Sequence, residues 1–138
     1  MVHDLGVNVN YYDHHKHSAY IILNSALPGY EHREIAIIAL LARGHRKGAI
    51  DVGNLAPVLH KDDEQRITQL AALLRIAEYL ERSKSQVVRA VHCELGDPVR
   101  IVADTVGDAT VEIWDANRRT SLFRRAFGVD AIVEQANR

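Results

Sequence analysis

Histidine and aspartate crowd the start of this chain. His3-Asp4 is followed by Asp13-His14-His15-Lys16-His17, so four histidines and two aspartates fall within seventeen residues. Imidazole nitrogens beside carboxylate oxygens suit a divalent cation such as manganese, iron or zinc. Lysine and protonated histidine make charge-assisted bonds to phosphoryl oxygens. His45-Arg46-Lys47 adds a second basic cluster. Plainer roles compete for each motif. A His-Asp doublet also occurs as a surface or capping pair. His14-His15-Lys16-His17 also reads as a solvated first helical turn, and His45-Arg46-Lys47 as cations facing a helix C-terminus. His32 and His60 stand apart from these patterns.

One carboxylate is placed differently. Glu78 lies four residues after Leu74, seven after Ala71 and eleven after Ile67. That spacing puts it on the apolar face of a helix. A carboxylate there is paired or binds a cation. An ion pair with Arg43 or Arg75 competes with a metal role, and Arg75, Arg82 and Lys84 are otherwise expected to reach solvent.

The elements that must carry these residues change character near residue 86. Before it the apolar period is helical. A helix is expected over 13–24, with Tyr20, Ile21 and Leu23 after a polar first turn, then a turn at Leu27-Pro28-Gly29-Tyr30. A second is expected over 31–47, with Ile35, Ile38, Leu41 and Ala42 in step and Gly48 as its stop. Asp62-Asp63 offers an N-cap for a long helix to about Ser83. Its face of Ile67, Leu70, Ala71, Leu74 and Ala77 is widened by Leu73, Ile76 and Leu80, which predicts burial on two sides. After residue 86 the period becomes two. Val87 to Leu95, Val99 to Ala103 and Val111-Ile113 read as three antiparallel strands around Gly96-Asp97-Pro98 and Gly107-Asp108. A helix over 114–127, capped by Gly128, and a strand over 129–133 complete the pattern. Trp114, Phe123 and Phe127 are expected in the core. The sequence therefore predicts an α+β chain: a helical domain over 1–86 and a small βββαβ antiparallel-sheet domain over 87–138.

Composition narrows the classes. The chain has 138 residues, 47% hydrophobic and 25% charged, with a net charge of −1. A near-neutral balance gives no support to non-specific nucleic-acid binding, and no sequence-specific reader is visible. Cys93 is the only cysteine, which excludes an internal disulfide and favours a reducing, cytoplasmic setting. No apolar run approaches the ~18 residues of a membrane span.

His3-Asp4-Leu5-Gly6, His14-His15-Lys16-His17-Ser18-Ala19-Tyr20-Ile21-Ile22-Leu23-Asn24-Ser25, Leu27-Pro28-Gly29 and Ala42-Arg43-Gly44-His45-Arg46-Lys47 form one recognisable series. It resembles the C-terminal region of the exopolyphosphatase and guanosine pentaphosphate phosphohydrolase (Ppx/GppA) family. Leu73-Leu74-Arg75-Ile76-Ala77-Glu78-Tyr79-Leu80-Glu81-Arg82-Ser83 and Leu122-Phe123-Arg124-Arg125-Ala126-Phe127-Gly128 continue the resemblance along the chain.

The resemblance implies an HD-like helical half related to HD phosphohydrolases. It implies that hydrolysis belongs to a preceding pair of actin-like domains, so that this chain is a C-terminal portion without the catalytic loops. The expected role is contact with polyphosphate or a guanosine polyphosphate, regulation or dimerisation. No catalytic residue and no resident cofactor are expected here, although a divalent metal is conceivable in the full-length family member. The phosphate contacts it suggests are His14, His15, Lys16, His17, His45, Arg46 and Lys47. A vestigial metal set would be His3, Asp4 and Glu78, with the HD-type early histidine placed before Met1. Two other readings stay open: a free-standing HD-type, metal-dependent phosphohydrolase acting on a nucleotide, and a module that binds a regulator or partner. Helices missing before the His-Asp doublet would leave apolar surface on the helical half, which predicts a homodimer.

Overall fold

The protein is described by a computed structural model over residues 2–136. It is an α+β chain that divides into two compact units, residues 1–71 and 72–138. The division falls within a helix. The change of period at residue 86 lies between the end of that helix at Leu80 and the first strand at Val88.

In the first unit a 3-10 segment, Val2–Asn8, precedes α1 (His14–Asn24) and α2 (His32–Gly44). Asp13 sits at the N-cap of α1 with a left-handed φ of 56°, and its carboxylate accepts from Lys16 Nζ at 2.9 Å. At the start of α2 the Glu31 amide donates to Glu34 Oε2 at 2.8 Å, which satisfies a backbone donor that the helix leaves open. The two helices close through Ala19, Ile22, Ala39 and Ala42, with Leu27, Ile35 and Ile38 around them. Three of those four buried residues are alanine, which lets the helix backbones approach. α2 ends at Gly44, four residues before the expected stop. A Cβ at Gly44 would stand 2.5 Å from Ile50 Cδ1, so the chain after α2 folds back directly over that glycine. A second 3-10 segment, Gly53–Val58, leads to α3 (Asp63–Leu80).

α3 is anchored at its first residue. Asp63 is fully buried and accepts from Arg33 Nε and Nη2, both at 2.7 Å, from Arg66 Nη1 at 3.0 Å and from the His60 amide at 2.8 Å. This doubly bonded Arg33 holds the Asp63 carboxyl well below the usual carboxylate range. α3 buries Ile67, Ala71, Ala72, Ile76 and Leu80, but Leu70 and Leu73 remain exposed, so its apolar surface is not covered all round. Arg75 departs from expectation: it is buried rather than solvent-reaching, and burial lowers its pKa.

The second unit contains a three-stranded sheet in the order β1 (Val88–Glu94), β2 (Val99–Thr105), β3 (Ala131–Gln135). Three parts of the βββαβ expectation are corrected, the first being that the single helix expected over 114–127 is two, Thr110–Asn117 and Ser121–Phe127. Val111-Glu112-Ile113 is not a strand but the first turn of α4 (Thr110–Asn117). Asp108 Oδ1 accepts from the Thr110 amide at 2.9 Å, a side-chain turn that starts a helix here, and Glu112 rather than its apolar neighbours is buried. The sheet is also mixed rather than antiparallel. β1 and β2 pair antiparallel, whereas β2 and β3 pair parallel, Val99 opposite Ala131 and Ile101 opposite Val133. A parallel neighbour requires a crossover, and α4 with α5 (Ser121–Phe127) supplies it. Asn117 fastens that crossover to the sheet: its Nδ2 donates to Val133 O at 2.7 Å, and its Oδ1 accepts from the Val133 amide at 2.9 Å. Val99, Ile101, Ala103, Ala116, Leu122, Phe123 and Val133 are buried here. Trp114 and Phe127 are exposed instead, and Arg118 lies over the Trp114 ring at 4.6 Å.

A histidine–aspartate centre with a basic rim

His3 and Asp4 are placed by a backbone contact. Gly6, two residues on, presses against α1 so closely that an added Cβ would lie 2.0 Å from His14 O and 2.5 Å from the Ser18 amide nitrogen. Only glycine fits. The Gly6 amide donates to Ser18 Oγ at 2.8 Å, and Ser18 is fully buried. The 3-10 turn is thereby fixed over the first turn of α1.

Two further histidines meet it there. His14 opens α1, and His45 follows α2. Each ring directs Nδ1 to a backbone carbonyl: His14 to Tyr11 O at 3.0 Å, His45 to Ala42 O at 2.6 Å. A carbonyl only accepts, so Nδ1 carries the hydrogen in both rings. Their Nε2 atoms then face inward, 3.3 Å apart. Asp4 Oδ1 lies 3.3 Å from His14 Nε2 and 3.6 Å from His45 Nε2, and Asp4 Oδ2 lies 3.6 Å from His3 Nε2. His3, His14 and His45 are buried, whereas the Asp4 side chain keeps 31% of its surface accessible. The donor atoms of His3, Asp4 and His45 fall within 4.8 Å of one another, close enough to share one ion. Glu78, the third residue of the expected metal set, is half-buried on α3 in the second unit.

The seven expected phosphate contacts divide between interior and surface. His14, His15 and His45 are buried, Lys16 and Lys47 are exposed, and His17 and Arg46 are intermediate. His15 lines a cavity of about 110 Å³ together with Arg43, Lys47, Ile50 and Asp51. Among the described residues its Nδ1 has no hydrogen-bond partner. Burial holds the His15 imidazole below its usual 6.5, helped by the nearby positive groups of His45 and Arg46 and opposed by Asp13. A neighbouring concavity of about 250 Å³ is lined by Lys16, Tyr20, Leu23, Leu40 and Arg43. Arg43 therefore borders both. Sequence reading considered it only as an ion-pair partner. The available signal was its place one helical turn before Lys47.

No helix among the described residues is long and apolar enough to cross a membrane. Residues 1–105 match the family described as Ppx/GppA phosphatase, domain III. A guanosine-5'-triphosphate,3'-diphosphate pyrophosphatase of Pseudoalteromonas translucida is 36% identical over 83 residues, which cover 57% of this chain. The matched segment spans 15% of that relative's length. With a match over three-quarters of its length, the chain belongs to the Ppx/GppA phosphatase family, through that family's domain III.

Proposed function

We propose that this chain is a non-catalytic, phosphate-binding module of an exopolyphosphatase- or GppA-like phosphatase. It contacts polyphosphate or a guanosine polyphosphate through an exposed basic rim, in an HD-like helical domain. Arg43 carries the reading. It borders two adjoining concavities, with Lys47 and His15 in one and Lys16 in the other. Cations spaced along such a surface suit a chain of phosphoryl groups, each of which accepts charge-assisted bonds. His17 and Arg46 extend the rim, while buried His14 and His45 hold it in place from within. The relative's name, a pyrophosphatase of a guanosine polyphosphate, supports the substrate class. Association of two copies through the helical half belongs to the same reading, supported by the exposure of Leu70 and Leu73.

Titration of inorganic polyphosphate into the protein at low and at high salt tests this. Weak binding that falls steeply with salt is expected, because exposed charges are screened. Lys16→Ala/Arg43→Ala/Lys47→Ala should weaken it about tenfold, roughly 1.4 kcal/mol. Equal affinity at both salts, or in the triple variant, would contradict the rim.

A second reading, a free-standing HD-type phosphohydrolase acting on a nucleotide, draws support from the convergence of His3, Asp4, His14 and His45. Metal-dependent phosphate release distinguishes it from the first.

A further inference from the structure

We infer that the outer edge of β1 pairs antiparallel with β1 of a second copy of this chain, with Cys93 on the two-fold axis, so that two three-stranded sheets join into one. The inference rests neither on the phosphate reading nor on association through the helical half.

Backbone direction supplies the first argument. The Val99 amide donates to Asp130 O at 2.8 Å, and the Ala136 amide to Ala103 O at 2.9 Å. Odd-numbered residues of β2 therefore aim their backbone groups at β3, and even-numbered ones aim theirs at β1. Arg100 lies opposite Glu94, and Val102 opposite His92. His92 and Glu94 thus spend their amides and carbonyls on β2, while those of Val91 and Cys93 point away from the sheet. β1 is the end strand of the sheet, so among the described residues no strand takes them up. Such an edge is a template for another strand.

The side chains supply the second. Val91 stands opposite Ala103 and Cys93 opposite Ile101, both buried residues of β2. The core face of the sheet continues onto β1 and lies open there: Val91 is 51% exposed, Cys93 is exposed, and Leu95, just past the strand, is 90% exposed. The other face carries His92 and Glu94, both exposed.

These residues complement themselves. With Cys93 opposite the partner's Cys93, Val91 meets the partner's Leu95 and His92 meets the partner's Glu94, each pair occurring twice. Apolar lies against apolar on one face and imidazole against carboxylate on the other, and both kinds of cross-strand pair stabilise a sheet. With His92 on the axis, like imidazoles would face each other. With Val91 there, Glu94 would face the apolar Val88. A single strand pair buries less than the ~1,200 Å² of a stable complex, so the dimer is weak and concentration-dependent.

Sedimentation and amide hydrogen exchange of the 138-residue chain test this at rising concentration, up to about 1 mM, a range that captures weak complexes. A dimer should form, and the amides of Val91 and Cys93 should gain about tenfold protection as it does. Those of His92 and Glu94 should be protected at every concentration. Val91→Lys, which charges the apolar row, should weaken association about tenfold. His92→Glu sets like charges opposite each other and should weaken it similarly, whereas His92→Glu/Glu94→Lys should restore it. Val111→Lys, at an exposed apolar residue of α4, should leave it unchanged. A chain that stays monomeric throughout, or that dimerises without protection at Val91 and Cys93, would overturn the proposal. So would a dimer that survives in folded Val91→Lys and His92→Glu, or one lost in folded Val111→Lys. Where circular dichroism shows a variant unfolded, the wild-type exchange pattern decides.

Discussion

Gly6 and Ser18 are joined amide to hydroxyl at 2.8 Å, and that bond brings the His-Asp doublet onto α1. The contact leaves no room for a side chain at Gly6. Gly6→Ala should lower stability by about 1–3 kcal/mol, the usual cost of overpacking a tight interior. Chemical denaturation measures the loss. Wild-type stability in Gly6→Ala would show that the turn is not held as described.

The Arg33–Asp63 pair makes a pH-dependent contribution whose sign follows from the depressed Asp63 pKa. The contribution is fully present above the unfolded carboxylate value of about 3.9 and disappears as pH falls below it. Arg33→Ala should lower the melting temperature at neutral pH, and the gap from wild type should narrow under acid. A constant gap from pH 7 to pH 3 would contradict the assignment.

His15 is favoured neutral where Asp63 is favoured charged, yet acid costs stability in both cases. Its folded pKa lies below 6.5, so on acidification the unfolded chain takes up the proton first. Stability should therefore decline as pH drops below about 6.5. An anion in the adjoining cavity favours the charged ring, so added phosphate should move the His15 titration upward. Proton NMR of the imidazole reads both effects. An upward-shifted His15 in the phosphate-free protein would contradict the burial argument.

The first three helices were legible from their apolar period, and Asp62-Asp63 marked the start of α3. Val111-Glu112-Ile113 misled because three alternating residues fit period two as well as one turn of helix. The Asp108 turn that decides between them is a side-chain bond, not a periodicity. The parallel pairing of β3 followed once that strand became helix. At the site, the doublet and the two basic clusters were visible as residue types. Which histidines turn inward was not, because it depends on Nδ1 contacts with Tyr11 and Ala42 carbonyls. Arg43 gained its place from the fold of the chain after Gly44.

Hydrolysis of a phosphoanhydride requires a clamped phosphoryl group, neutralised developing charge and an aligned water. The rim offers cations but no Gly-rich phosphate loop is present in the sequence. The chain should release no phosphate from polyphosphate or guanosine pentaphosphate, with or without manganese. Turnover that depends on manganese and is lost in His3→Ala would place the HD-type phosphohydrolase first.

The most direct measurement of the central claim is an amide NMR map of the chain during titration with polyphosphate at low salt. The account predicts shifts concentrated at Lys16, His17, Arg43 and residues 46–51, reversed by added salt. Shifts centred on β1 to β3, or none at all, would contradict a phosphate-binding rim on α1 and α2.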